Sequence, residues 1–141
     1  MSRVMLIAAD KPLPLCDKRE ERTAAVHGST ISYEGGFRVS EHAYYRPAVD
    51  GLGHEIKPFQ YELELEEQNS DLKHLRDYLR EHFTCGETAE LWNLWVGDDQ
   101  DNKPVHYAGN LSDFEMDTLK QFLNPVLDNG IIGQCCMTIT I

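Results

Sequence analysis

Basic residues are scarce after position 60, cysteines are few, and long apolar runs are missing. Each shortage narrows what the chain can be. Residues 1–60 carry eight Lys/Arg and eight Asp/Glu, whereas residues 61–141 carry five against sixteen, so the whole formal charge of −11 lies in the second half. A half this acidic repels nucleic acid and anionic membrane surfaces, and it attracts cations or basic partners. No basic stripe interleaved with aromatics is present, which argues against nucleic-acid binding. No stretch approaches the ~18 consecutive apolar residues of a membrane span. The run Val4-Met5-Leu6-Ile7-Ala8-Ala9 stops at Asp10 without a cleavage pattern and reads as a buried strand, so the expected compartment is the cytoplasm.

Cys16, Cys85, Cys135 and Cys136 come without a secretory signal, in a chain of 141 residues that can bury a core without covalent staples. They read as reduced thiols packed as small apolar groups. An apolar fraction of 41% and a charged fraction of 26% are those of a globular protein, and the length suits one domain spanning residues 1–141.

The clearest periodicities lie in the acidic half. Residues 58–66 alternate, with Phe59, Tyr61, Leu63 and Leu65 on one face and Gln60, Glu62, Glu64 and Glu66 on the other, which is a half-buried strand. Asn69 or Ser70 then caps a helix to about Phe83 with Leu72, Leu75, Leu79 and Phe83 as its apolar stripe, ended by Gly86. Ala89–Val96 and Pro104–Ala108 flank a polar turn and read as a hairpin. Ser112 and Glu115 form a capping box, with Leu111 and Met116 as its staple, for a second helix that stops near Asn124 ahead of Pro125. After an Asp128-Asn129-Gly130 turn, Gln134–Ile141 forms the last strand. This order predicts an α+β fold with a mainly antiparallel sheet, two principal helices and a ferredoxin-like βαββαβ core over residues 58–141. Residues 1–57 then form a β-rich extension: a strand at Arg3–Ala9, a short helix within Asp17–Val26, and a hairpin of Thr30–Tyr33 with Phe37–Tyr45 through Glu34-Gly35-Gly36. If Phe37–Tyr45 instead pairs with residues 58–66, Arg38 and His42 meet Glu62 and Glu64. That meander and a ferredoxin-like core exclude each other.

The long connection Arg46–Lys57, with Gly51 and Gly53 as hinges, is the best-placed functional segment. Glu41-His42 and His54-Glu55 bracket it, but no short ligand spacing supports a metal site, and no cofactor motif is present. His74 and His82 lie eight residues apart on one helix, about 12 Å by rise, too far for one ion. Asp98-Asp99-Gln100-Asp101-Asn102 starts like a calcium loop but lacks its later glycine and glutamate, so a polar turn is the better reading. Cys135 and Cys136 point to opposite faces of a strand and have no local base to activate them. Trp92, Leu94 and Val96 are expected on the helix-packed face, with Trp95 on the other face beside Glu62 and Glu64. Three covers fit that second face: the N-terminal strands, a second copy of the chain in a homodimer, or a ligand.

Two functions follow. The charge asymmetry favours a non-catalytic binding or accessory protein for a basic protein partner. The alternative is a small-molecule-binding domain or small enzyme with a cleft between the sheet face and the 46–57 segment. Its candidate residues are Tyr45, Arg46, His54, Glu62 and Trp95: Arg46 to hold an anion, and His54 or Glu62 as acid or base.

Overall fold

The computed structural model describes residues 2–97, 103–125 and 133–141. In chain order its elements are β1 (Ser2–Ala9), β2 (Cys16–Asp17), β3 (Glu20–Val26), β4 (Ser29–Gly35), β5 (Arg38–Glu41), α1 (Arg46–Asp50), β6 (Phe59–Glu64), α2 (Asn69–His82), β7 (Thr88–Val96), β8 (Val105–Asn110), a 3-10 turn (Leu111–Asp113), α3 (Met116–Leu123) and β9 (Cys135–Thr140). Seven strands form one sheet in the order β2-β5-β6-β1-β7-β9-β8, and β3 and β4 form a separate ribbon. All the ladders are antiparallel except that between β8 and β9. The fold is α+β and mostly sheet, and no helix among the described residues is long and apolar enough to cross a membrane.

Strand β1 is no extension. It sits at the middle of the sheet, antiparallel to both β6 and β7. Those two strands are therefore parallel to each other, joined by α2 across the strand that separates them. Helix α3 likewise joins β8 to its parallel neighbour β9. The strand order differs from that of a ferredoxin-like core, in which the first and third strands (here β6 and β8) are neighbours. Here β1 takes the place beside β6, and β9 parts β7 from β8. Burial gives the reason. Val4, Leu6 and Ala8 face one side and Ile7 and Ala9 the other, all nearly inaccessible, and a strand apolar on both faces belongs in the centre. By contrast β8 is exposed along almost its whole length and takes the edge. The expected hairpin of Ala89–Val96 with Pro104–Ala108 does not form, because the doubly buried β9 inserts between its two arms.

Helices α2 and α3 cover one face of the sheet. Leu72, Leu75, Leu79 and Phe83 pack there with Leu119, Phe122, Ile7, Leu63, Leu91 and Met137. On the far face, Val49 of α1 with the half-buried Tyr45, Leu52 and Ile56 closes over Val4, Leu6, Trp92, Leu94 and Cys136. Cys135 and Cys136 fall on opposite faces, as strand geometry requires, and all four cysteines are free. The caps differ in detail from the expected ones. Gln68 holds the N-cap position of α2 and, because Ser112 is taken up by the 3-10 turn, Glu115 holds that of α3, neither with a side-chain capping hydrogen bond; α3 ends at Leu123 with Asn124 as its C-cap, before Pro125. Residues 98–102 and the Asp128-Asn129-Gly130 turn lie outside the described residues.

The segment expected to hold a helix at Asp17–Val26 is β2 and β3 instead, and β4 pairs with β3 rather than with β5. A two-residue turn makes this ribbon, with His27 (φ 48°) and Gly28 (φ 79°) both left-handed, the signature of a tight hairpin. Register places Arg22 opposite Tyr33, so both reach the start of α2 from one face. Arg22 Nη2 donates to Asp71 Oδ1 (2.7 Å) and its Nη1 to Glu66 Oε1 (2.6 Å), while Tyr33 Oη donates to Glu66 Oε2 (2.8 Å). Asp71, 0% exposed, also accepts the Glu66 backbone N–H at 2.7 Å. A carboxylate this deeply buried is tolerable only because it is fully paired. Replacing it by Asp71→Asn leaves Arg22 short of one charge partner while Glu20 and Glu66 still hold it. The expected cost is about 2–3 kcal/mol, at or below the low end for breaking a buried pair, read as a lowered urea midpoint at neutral pH.

Candidate functional site

The ladder between β5 and β6 stops abruptly. Glu41 pairs with Tyr61, and the chain then leaves the sheet at His42 to enter α1. Phe59 and Gln60 continue to pair with β1 but have no partner on the β5 side. The space left at that edge is a cleft of about 300 Å³, lined by His42, Arg46, Phe59, Gln60, Glu41 and Tyr61 among others.

Two side chains there have polar atoms with no partner among the described residues. His42 is 5% exposed, and neither Nδ1 nor Nε2 meets a donor or acceptor. Gln60 donates its amide to the Lys57 carbonyl at 3.2 Å, which leaves its buried Oε1 unmatched. A buried polar group without a partner costs about 1–3 kcal/mol. Arg46, anchored by Nε to the His42 carbonyl at 3.1 Å, supplies the positive charge of the cleft. Burial first, then the Arg46 cation, hold the His42 imidazole below its ordinary value against the opposing pull of Asp50, so the ring is neutral at physiological pH with one donor and one acceptor.

The residues expected to form the site divide three ways. Arg46 lines the cleft, while Tyr45 is spent on packing: it sits half-buried at the start of α1, edge-on to the 84%-exposed Tyr44 at 4.8 Å. His54 lies stacked on Trp92 (5.9 Å, 18° between planes), with His106 edge-on to the same indole. Glu90 completes this arrangement, accepting from the Trp92 indole N–H (3.2 Å) and the Lys57 backbone N–H (2.8 Å). The 46–57 segment is thus a fastened cover, not a hinged lid. Glu62 shares the far face but lies two strands from Trp92, with Leu6 between them, about 10 Å by inter-strand spacing.

Trp95 is on the other face. Trp92, Leu94 and Val96 face α1, whereas Leu91 packs with the helices and Asn93 donates to the Phe122 carbonyl of α3 at 2.7 Å. The parity of the two tryptophans is as expected but the sides are exchanged, because the second face carries its own apolar cover. Trp95 sits under the Arg3 guanidinium at 5.9 Å and takes no part with Glu62. The meander pairing does form: Arg38 faces Glu64 with 3.5 Å between charges, while Ser40, not His42, lies opposite Glu62.

Other chemistries find little support. Burial pushes the Cys135 and Cys136 thiols up to about 12, so neither is a thiolate at neutral pH. Among the described residues no three His, Cys, Asp or Glu side chains converge as a metal would need. His42 had a sequence signal as a neighbour of Glu41 and as a possible partner of Glu62 or Glu64 in the meander, and Gln60 only as one polar member of an alternating strand; neither reveals that β5 ends beside them. No family model, curated protein or solved structure matches the chain.

The titrating groups of the far face pull stability in opposite directions. Burial, then the His106 charge, hold His54 low, as His42 is held; the unfolded chain therefore takes up these protons first, and stability falls as pH drops through the ordinary imidazole value. Burial, then Glu64, hold the Glu62 carboxyl high against Arg38, so the folded chain takes up that proton first. Its cost is present at neutral pH and disappears in acid. Glu62→Gln should raise the urea midpoint at about pH 7 and lose that advantage near pH 4, whereas His54→Phe should flatten the loss between about pH 7 and 5. Unfolding curves across this range check both signs.

Proposed function

We propose that the chain is a small-molecule-binding domain whose site is the cleft at the end of the β5–β6 ladder. The observation that carries this reading is His42, buried with both ring nitrogens unpartnered in the wall of a cleft that also holds an unmatched Gln60 oxygen and a cation. A ligand that satisfies these groups carries a negative charge for Arg46 and, once side chains of the wall shift to uncover the buried atoms, a donor for Gln60 Oε1 and a hydrogen-bonding group for one nitrogen of the neutral imidazole. A small hydroxy or amido carboxylic acid has that chemistry. The volume, about 300 Å³, is at the lower end for ligand pockets and suits a molecule of metabolite size. Arg46 acts as the anion clamp expected of it; His54 and Glu62 serve the cover and the sheet face outside the cleft. Four unbridged cysteines agree with a reducing compartment such as the cytoplasm.

The test titrates a panel of small hydroxy, keto and amino carboxylic acids, with their neutral amides, while NMR follows the His42 ring. Binding members should shift those signals saturably. Arg46→Gln should weaken the acids by about tenfold and leave the amides little changed. His42→Phe should abolish binding and leave the unfolding free energy unchanged or raised by about 1 kcal/mol, since it removes two unmatched buried atoms. A panel that leaves the His42 ring untouched, or binding that survives His42→Phe, overturns the reading.

A further inference from the structure

The two edges of the main sheet are finished differently. At one end β2 is only two residues long, and its Asp17 is engaged by Arg19 (2.9 Å) and Arg38 (4.0 Å). Short length and charge are the usual means of blunting an edge. At the other end β8 runs for six residues, Val105-His106-Tyr107-Ala108-Gly109-Asn110, with no Lys, Asp, Glu, Arg or Pro. The Val105 N–H donates inward to the Gln134 carbonyl at 2.9 Å, so by strand alternation the N–H and C=O groups of His106, Ala108 and Asn110 point outward. No strand among the described residues pairs with them.

Beside this edge, on the helix-covered face, lies a groove of about 280 Å³ between β8 and α3. Met137, Ile139, Phe114 and Tyr107 make it apolar, and Asp113 stands at its rim. Gly109 keeps it open: nothing lies within 4 Å of where a Cβ would stand. Glycine in a strand often marks the close approach of another backbone. The charge around the groove is one-sided. Asp113 and Asp117 have no ion-pair partner among the described residues, Glu115 shares Arg76 at 3.2 Å, and α3 carries a single cation, Lys120.

We propose that β8 and this groove are the docking site for an extended, basic segment of a partner protein, which adds to the sheet as one more strand. Main-chain hydrogen bonds to His106, Ala108 and Asn110 hold it, an apolar side chain enters the groove over Gly109, and Lys or Arg side chains meet Asp113 and Asp117. The basic partner implied by the acidic half of the chain is thereby given a definite place. The site is independent of the His42 cleft.

The experiment screens the full chain against an immobilised library of seven-residue peptides that alternate Lys, Arg or Thr with Val, Leu, Ile or Phe. A control library carries Glu in place of Lys and Arg. Basic peptides should be retained selectively, less so as salt rises. Three variants locate the site. Gly109→Leu fills the groove, Ala108→Pro removes one outward donor without touching the β9 ladder, and Asp113→Asn removes the rim charge. The first two should each weaken the best peptide about tenfold at an unchanged urea midpoint, and the third should reduce its salt dependence. His42→Phe should leave peptide binding intact, which separates failure here from failure of the cleft. Equal retention of the acidic library, no retention of either, or undiminished binding by Gly109→Leu and Ala108→Pro overturns the proposal. So does a dimer that Ala108→Pro dissolves in sedimentation equilibrium, since the occupant is then a second copy of the chain.

Discussion

Burial of β1 on both faces is the constraint around which the rest is arranged. Leu6, Ile7, Ala8 and Ala9 are all 0% exposed, so neither side of the sheet can be left to water. One side is covered by α2 and α3, which is ordinary for crossover helices. The other side has only the short α1 and the connection to β6, and that is why Val49, Leu52 and Ile56 are apolar and why Glu90 fastens the Lys57 backbone. A fully buried side chain of this size contributes about 1.5–3 kcal/mol. The far-face layer is therefore part of the core, and a segment whose glycines suggest mobility is held still by what lies beneath it.

The same constraint produces the cleft. The chain must leave β5 early enough to carry α1 over the far face, and it does so at His42, while β6 still has two residues to run. The edge that β5 abandons is too narrow for another strand and too polar to close on itself. His42 is dragged inward with the departing backbone, and Arg46 returns to bind the His42 carbonyl one helical turn later. Positive charge thus stands beside a neutral imidazole in a wall that also holds Phe59, the strand edge and the Glu41 carboxylate.

Elements were legible in the sequence where a residue answers to its own neighbours. The alternation of Phe59, Tyr61, Leu63 and Leu65, the stripe from Leu72 to Phe83, the halt before Pro125 and the opposed Cys135 and Cys136 all depend on local periodicity. Pairing was not legible, because a period of two is the same whichever strand lies alongside. Parity set Trp92 and Trp95 apart without saying which side the helices take. The residues of β3 and β4 pattern weakly since the ribbon is exposed on both faces and its hold on the domain is ionic, through Arg22 and Asp71. Of the candidate site, Arg46 could be found from its position in the long connection. His42 and Gln60 could not, since their distinction is a missing neighbour.

The cleft and the exposed edge lie at different ends of one sheet, and their separation decides how they work together. From β6 to β8 there are four inter-strand steps, about 19 Å. The Debye length at physiological ionic strength is about 8 Å, so charge gathered at Asp113 and Asp117 does not reach Arg46 through solvent. Between the two run β1, β7 and β9, buried on both faces. Coupling across such a stretch needs an element with two arrangements, and the described structure offers none there. The two surfaces, if occupied as proposed, are therefore expected to act as additive sites, each with its own affinity.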